Sequence, residues 1–442
     1  MSEPIPDFDD IRPYRDDEVR GVLDRLSADA EFLDTLVGLK LPWLKSFGFG
    51  LGFGPWVGRY LVGLSVRRLF SRIHTVRDFQ QLVSAQLRAQ MQKASTGFRA
   101  LGLEALEPDQ SYLFISNHRD IAMDPAVVDL VLEDHGMDTV RIAIGDNLLT
   151  KAFVSDLMRV NKSFIVKRSP VGRREKLSSL KQLSAYIRYS VGEDNSSVWI
   201  AQREGRAKDG IDKTETAMLK MLALSKEKGQ SFSQALAGIN IVPVAISYEF
   251  DPCDRDKTRE LHALRTQGRY QKAQYEDLHS IREGIVGDKG QIIVAFGEPL
   301  TAGFETADEL AAAIDRQIIS HYQLQAPHLI AYQLLHGILS EDGKSEDGQS
   351  EDEKPGNRLL EGEVEIRPEI EQWKAALSET DWQLKKDRFL QRLQTIPQVE
   401  QDIFLAMYAN PVEQRLRLQS ASLETTQLKD DEKTASSEAS LV

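Results

Sequence analysis

One histidine in this sequence stands where an enzyme would hold a general base. His118 follows the apolar, β-like run 112–115 and precedes a helical pattern of apolar residues. Imidazole takes up and returns a proton near neutral pH, and a nearby carboxylate fixes its tautomer and stabilises its charged form. Asp120 and Asp124 lie two and six residues after His118. The stretch therefore predicts a general base at the end of a strand, held by one of two aspartates.

Asp124 also fits a purely structural role. It precedes Pro125 and a helix-like run, and an aspartate followed by proline is typical of a helix N-cap and the first helical position. A helix cap and an imidazole compete for the same carboxylate oxygens. Spacing alone therefore leaves both roles open.

Two groups of charged residues follow later strand-like runs. Lys167 and Arg168 come directly after the run 164–166. Bases at a strand end are well placed to bind a phosphate, which arginine holds through paired donors. After the run 198–201 come Arg203, Glu204, Gly205 and Arg206. Such a turn can present backbone N–H groups and a cation to an anion, whereas by itself it is also typical of a plain surface turn.

The first stretch resembles the first signature block of the glycerolipid acyltransferase family, Asn-His-x4-Asp, often followed by proline. Asn117 and His118 match its beginning and Asp124 matches its end, but five residues separate the histidine from the acid. The family's register puts Met123 at the acid position, and a thioether cannot orient an imidazole. Either a one-residue insertion returns Asp124 to the role, which the Asp-Pro-Ala match favours, or Asp120 has taken it.

Three further blocks follow in the order that the family has them. The run 161–168 is similar to Gly-x-x-Phe-Ile-x-Arg, with asparagine in place of glycine. In the family the arginine of this block contacts the acceptor's phosphate. Lys167 falls in the register of that arginine, so either Lys167 or Arg168 is implied to make this contact. The run 201–206 is similar to Phe-Pro-Glu-Gly-Thr-Arg, with one residue missing before its arginine, Arg206. The run 241–246 is similar to the apolar fourth block, and a buried strand with an edge or bulge proline is the alternative.

The resemblance implies an acyltransferase of the phospholipid-biosynthesis type. In such an enzyme His118 takes the proton of an acceptor hydroxyl, whose oxygen attacks the thioester of acyl-CoA or acyl-carrier protein, while Asp124 orients the imidazole. The implied acceptor is glycerol 3-phosphate, lysophosphatidate or a similar lipid, and no metal or prosthetic group is required. The residues implied to bind substrate are Asn117, Arg119, Lys167, Arg168, Arg203, Glu204, Gly205 and Arg206. An acyl-thioester or lipid hydrolase and a non-catalytic lipid-binding scaffold are the alternatives.

Composition limits the compartment and the binding partners that we expect for this protein. Of the formal net charge of −13, residues 341–442 contribute −10 through 23 acidic and 13 basic residues, so the acidity describes the tail rather than the catalytic part. Cys253 is the single cysteine, which excludes a disulfide framework or a cysteine-rich zinc site and is consistent with a reducing compartment. Because the chain is acidic and lacks a basic patch interleaved with aromatic residues, we do not expect it to bind nucleic acid.

Hydrophobic periodicity predicts an α/β domain. Strand-like runs at 140–144, 164–166, 198–201, 239–247 and 291–296 alternate with helical patterns. We therefore expect a sheet flanked by helices on both faces, with the site at the strand ends, and the resemblance implies a mixed sheet. Amphipathic helices are predicted at 16–39, 76–94 and 308–323.

A glycine-rich apolar segment, residues 46–66, carries a single charge and is followed by two arginines. Its length would reach across a bilayer core, but its glycines and Pro55 disfavour a straight spanning helix. We expect it to lie in one leaflet, and a packing hairpin is the alternative. The aromatic residues expected at headgroup depth are Trp43, Trp56 and Tyr60. Since no signal-peptide pattern is present, the expected location is the cytoplasmic face of the inner (cytoplasmic) membrane.

These patterns divide the chain into five parts. They are a helical N-terminal region at 1–85, an acyltransferase domain at 86–325, a helix end with an acidic linker at 326–361, a small helical domain at 362–418 and a disordered tail at 419–442. The linker carries a three-fold acidic repeat without apolar side chains, which is typical of a solvated segment.

Overall fold

The computed structural model describes residues 7–40, 54–168, 172–300, 303–337, 368–376 and 378–439. In this part of the chain seven strands form one sheet in the order β1-β7-β6-β2-β5-β3-β4. The strands are β1 Gly97–Leu101, β2 Leu113–Ser116, β3 Arg141–Gly145, β4 Ser163–Val166, β5 Val198–Ala201, β6 Ile241–Tyr248 and β7 Gln291–Phe296. β6 and β7 pair antiparallel, and the other neighbours pair in parallel. The predicted mixed α/β fold is confirmed.

Helices precede, connect and follow the strands. Within the described residues, four come before the sheet: α1 Asp16–Ala28, α2 Ala30–Lys40, α3 Gly54–Phe70 and α4 Val76–Ala94. Between strands lie α5 Met123–Asp134, α6 Ala152–Val160, α7 Arg173–Gly192, α8 Thr216–Leu222, α9 Phe232–Leu236, α10 Asp254–Gln267 and α11 Glu276–Val286. After the sheet come α12 Ala307–His321, α13 Ala326–Leu335, α14 Pro368–Ala375, α15 Glu379–Gln394 and α16 Gln401–Ala439.

Helices bury both faces of the sheet in two apolar cores. Because side chains alternate along a strand, Leu113 and Ile115 of β2 enter the core formed with α7 and α12, whereas Phe114 enters the core formed with α5. All eight residues of β6 are buried, as expected of a central strand covered on both faces. The apolar runs that predicted these strands are therefore the interior of the domain.

The parallel strands place the charged blocks at one edge of the sheet. β2, β4, β5 and β6 run in the same direction, so their carboxyl ends lie along that edge. His118 follows β2, Arg168 follows β4 and Arg206 follows β5. The topology of the sheet therefore places these residues at the same edge, although they are far apart in the sequence.

Local elements differ from the sequence predictions at two places. The helix predicted at 16–39 is two helices, because Asp29 adopts an extended backbone and its Oδ1 accepts the N–H of Phe32 at 2.8 Å, which caps α2. β1 was not predicted, since it is a short edge strand of five residues that includes a glycine and an arginine and is only partly buried.

The C-terminal helices pack onto the sheet domain. Phe250 after β6 and Ile330 of α13 share a core with Phe389 of α15 and Phe404 of α16. The tail predicted to be disordered from residue 419 differs from the structure, in which α16 continues to Ala439. Residues 419–439 contain neither glycine nor proline and are rich in helix-favouring residues, which accounts for the helix. The acidic linker lies outside the described residues from 338 onward, and the domain boundaries stay predictions.

The glycine-rich segment is described only in part. Residues 46–53 and Trp43 lie outside the described ranges, and α3 begins at Gly54. Within the described residues, none of the helices combines the length and the apolar character that crossing a membrane requires.

Asp129 of α5 makes stability depend on pH. Its Oδ1 accepts the N–H of Val140 at 2.8 Å, and burial raises its pKa to about 7. Because the folded pKa lies above the unfolded value of about 3.9, its contribution to stability is full below about pH 4 and is lost as pH rises through about 7.

We expect Asp129→Asn to raise the free energy of unfolding at about pH 8 by roughly 1–3 kcal/mol and to change it little at about pH 4, because the amide keeps an acceptor for Val140 without a charge. Urea unfolding at the two pH values measures this. Asp134→Asn, at an exposed position of the same helix, is the control. An equal effect of Asp129→Asn at both pH values would contradict the assignment.

Candidate active site

His118 and Asp124 form a hydrogen-bonded pair at the end of β2. Nδ1 of His118 lies 2.9 Å from Oδ2 of Asp124. The His118 side chain is 14 % exposed and that of Asp124 is fully buried. The imidazole also makes an edge contact with the ring of Trp199, at 5.8 Å between ring centroids. Since Nδ1 faces the carboxylate, Nε2 is the ring nitrogen left to take a proton from a substrate.

Three further donors fix the Asp124 carboxylate. Its Oδ2 accepts the backbone N–H groups of Arg119 at 2.7 Å and Asp120 at 2.9 Å. Its Oδ1 accepts the hydroxyl of Tyr248 at 2.8 Å. Burial, followed by the charge of Asp124, holds the pKa of Tyr248 well above its ordinary value, so the phenol stays a donor. The carboxylate can therefore hold His118 in one orientation.

Sequence reasoning missed Tyr248. It is the last residue of the apolar strand β6, and the strand ends at the same edge as His118. The signal in the sequence was a polar side chain at the end of an apolar strand. It could not identify the partner, Asp124, which lies 124 residues earlier.

Asp120 caps a helix and does not contact the imidazole. Its Oδ1 accepts the N–H groups of Ala122 at 3.0 Å and Met123 at 2.9 Å, at the start of α5. Burial, followed by the nearby Asp124, raises the pKa of Asp120. The cap proposed for Asp124 is thus corrected: Asp120 binds the free N–H groups, which leaves the Asp124 oxygens for His118.

Asn117 and Arg119 were expected to bind substrate, and the structure gives both another role. Asn117 is fully buried and bridges β2 to β6, because its side chain accepts the N–H of Ile246 at 2.8 Å and donates to the Ile246 carbonyl at 3.0 Å. Arg119 is 6 % exposed and donates to the carbonyls of Ala207 and Gly210, both at 3.0 Å, and to Asp212 at 2.7 Å. The hydrogen bonds of both side chains lie inside the protein, and their binding of substrate stays a prediction.

The segment after β5, residues 203–212, forms a loop beside His118. The N–H of Ala207 donates to the His118 carbonyl at 2.7 Å. Gly205 has φ +76, a left-handed conformation that favours glycine. Among the described residues, two buried guanidinium nitrogens of this loop have no hydrogen-bond partner: Nε of Arg203 and Nη1 of Arg206. Nη2 of Arg206 lies 3.4 Å from Ser280 Oγ. Unpaired buried cationic donors suit an anionic ligand.

The structure separates Lys167 from Arg168. Lys167 forms an ion pair with Asp10 of the N-terminal segment. Arg168 lies 3.3 Å from Oε1 of Glu204, and its N–H donates to Asp146 at 3.2 Å. Arg168 is therefore the residue of the second block that joins the 203–212 loop.

Cys253 is placed as a structural residue. Its thiol is buried, lies 3.5 Å from the Ser280 carbonyl, and has a pKa raised by burial to about 12. A thiol in this state does not supply the thiolate that a nucleophile requires.

These features define an α/β domain with a hydrogen-bonded histidine–aspartate pair and a cationic loop at the carboxyl ends of its strands, an arrangement suited to general base chemistry. Residues 98–247 match the model of the acyltransferase family. This match includes the four sequence blocks that resemble the family, so the resemblance is confirmed for this part of the chain.

Among solved structures the chain is similar to the 1-acyl-sn-glycerophosphate (LPA) acyltransferase PlsC from Thermotoga maritima, with 14% sequence identity and a TM-score of 0.34. The match covers 68% of this chain and 94% of that chain. No curated protein matches the chain.

Proposed function

We propose that this protein transfers a fatty acyl group from an acyl thioester to a hydroxyl of a glycerolipid acceptor that carries a phosphate, such as glycerol 3-phosphate or lysophosphatidate. The observation that carries the proposal is the His118–Asp124 pair, anchored by Tyr248, beside the 203–212 loop. The proposed donor is acyl-CoA or acyl-carrier protein.

The proposed reaction is a direct transfer. Nε2 of His118 takes the hydroxyl proton of the acceptor as its oxygen attacks the thioester carbonyl. Asp124 stabilises the imidazolium through Nδ1–H. When the intermediate collapses, the C–S bond breaks and the leaving thiolate takes the proton back from Nε2. The steps use no metal or prosthetic group and form no acyl-enzyme, so product formation requires an acceptor, which a hydrolase does not.

Three arginines in or beside the 203–212 loop favour an acceptor that carries a phosphate. Arg203 and Arg206 bring buried, unpaired donors to the loop that contacts the His118 backbone. Arg168 approaches the same loop through Glu204. Guanidinium groups bind phosphate through paired, charge-assisted hydrogen bonds.

We expect Arg206→Gln to raise KM for lysophosphatidate by roughly 10–100-fold with little change in kcat, since charge-assisted hydrogen bonds contribute about 1.5–3 kcal/mol. KM for a neutral monoacylglycerol should not change. Steady-state assays with acyl-CoA and acyl-carrier protein as donors measure both. Lys167→Gln is the matched control, because Lys167 pairs with Asp10. Equal losses with the phosphate and neutral acceptors would contradict the proposed acceptor.

We also propose that the protein works at the cytoplasmic face of the cytoplasmic membrane, through one face of α3. Tyr60, Leu61 and Leu64 are 58 %, 53 % and 46 % exposed and share that face. The exposed Arg67 and Arg68 follow on the next turn. An apolar helix face with arginines beside it is typical of a segment lying on an anionic bilayer.

We expect the double variant Leu61→Glu, Leu64→Glu to bind vesicles of phosphatidylglycerol and phosphatidylcholine at least about tenfold more weakly, because each leucine loses about 1.5–3 kcal/mol of burial in the bilayer. Co-sedimentation measures the bound fraction. Leu177→Glu, an exposed leucine of α7, is the control. Unchanged binding of the double variant would refute the α3 surface.

A further inference from the structure

The C-terminal helix α16 lies outside the part of the chain that matches the acyltransferase model, yet it contacts the loop beside His118. The side chain of Gln414 bridges the backbone of Asp212: its Nε2 donates to the carbonyl at 2.7 Å and its Oε1 accepts the N–H at 2.8 Å. One turn earlier, Nδ2 of Asn410 donates to the carbonyl of Asp209 at 2.7 Å. Three hydrogen bonds thus join two side chains of α16 to the 203–212 loop.

The helix and the loop are also in close steric contact. Gly210 has φ +77, and a Cβ built on it would lie 2.0 Å from the carbonyl oxygen of Met407 in α16. No side chain fits at this approach, so the loop backbone rests directly on the helix backbone. The contact explains why a glycine is required at position 210.

The same loop is held from its other side by the residues around the base. Arg119 donates to the carbonyls of Ala207 and Gly210, and the Ala207 N–H donates to the His118 carbonyl. The loop therefore lies between the His118-Arg119 segment and α16. Because Arg206 precedes Ala207 directly, the backbone position from which its side chain extends depends on these supports.

A second contact of α16 leads to the same place. The Tyr408 hydroxyl accepts the N–H of Asp251 at 3.0 Å and donates to Asp254 at 2.8 Å. Asp251 forms an ion pair with Lys257, whose Nζ also donates to the Arg119 carbonyl at 2.7 Å. Both sets of contacts therefore connect α16 to Arg119, the residue that follows His118.

We propose that Gln414 and Asn410 are positioning residues of the acyl-transfer site, which hold the 203–212 loop so that Arg206 meets the anionic group of the acceptor. The C-terminal helices are then part of the active site rather than an appended domain. This inference rests on the proposed function, because it assigns to Arg206 the acceptor's phosphate.

The test is a double-mutant cycle between Gln414→Leu and Arg206→Gln in the full chain. Leucine approximates the size of glutamine and removes both hydrogen bonds to Asp212. We expect Gln414→Leu alone to raise KM for lysophosphatidate by roughly 5–30-fold, to change kcat by less than about threefold, and to leave KM for monoacylglycerol unchanged. Added to Arg206→Gln, it should raise KM by less than about twofold further, because both changes act through one guanidinium.

Glu413→Gln is the matched control, since Glu413 is the preceding residue of the helix and pairs with His336. If Gln414→Leu does not fold, as judged by Tm, the cycle is run with Asn410→Ala, for which we expect a smaller change in the same direction. Additive effects in the cycle, or an unchanged KM in a folded variant, overturn the inference. The proposal that the acceptor carries a phosphate is refuted separately, if Arg206→Gln alone leaves KM for lysophosphatidate unchanged.

Discussion

His118→Ala is expected to lower kcat by at least about a thousandfold with acyl thioester and acceptor, while the fold is retained. General acid–base catalysis contributes roughly 10²–10⁴-fold, and in the proposed mechanism one imidazole both removes and returns the proton. The ring lies at the end of β2 and is 14 % exposed, so we expect the fold to tolerate its removal. Turnover by release of free thiol, together with Tm, measures the two effects.

A matched histidine separates this effect from a general loss of charge. His279 lies on α11, is 52 % exposed and pairs with Asp256, so His279→Ala should leave kcat unchanged. Turnover at the wild-type rate in folded His118→Ala would remove the proposed mechanism altogether. Loss of turnover together with loss of the native Tm would call for His118→Gln, which retains more of the side chain.

Asp124→Asn is expected to lower kcat by roughly 10²–10⁴-fold, because it removes the charge that stabilises the imidazolium. The amide can keep its oxygen toward His118 and turn its NH₂ toward the Tyr248 hydroxyl, so geometry is preserved. Release of free thiol measures the loss of kcat, and Tm shows whether the fold is retained.

Asp120→Asn is the matched comparison, since Asp120 is equally buried but serves as a helix cap. Its side-chain oxygen can still accept the N–H groups of Ala122 and Met123, so we expect kcat within about threefold of wild type. A result in which only the Asp120 change slows the reaction would mean that the wrong aspartate has been assigned to His118.

The sequence by itself determined most of the strands, the candidate residue His118 and the order of the blocks. Strand-like runs such as 198–201 and 291–296 are local patterns, because a strand that is buried on both faces consists of consecutive apolar residues. His118 was recognisable because it follows such a run, with acids close behind it. The sequence could also narrow its partner to Asp120 or Asp124, since both are near in the chain.

Only the tertiary structure decided which polar groups meet. It paired Asp124 rather than Asp120 with His118, and Arg168 rather than Lys167 with Glu204. Tyr248 and Asp124 are 124 residues apart, and Gln414 and Asp212 are 202 apart. Hydrogen bonds over such separations leave no periodic trace in a sequence, because any polar residue at a strand end or on a helix face looks the same until the fold supplies its partner.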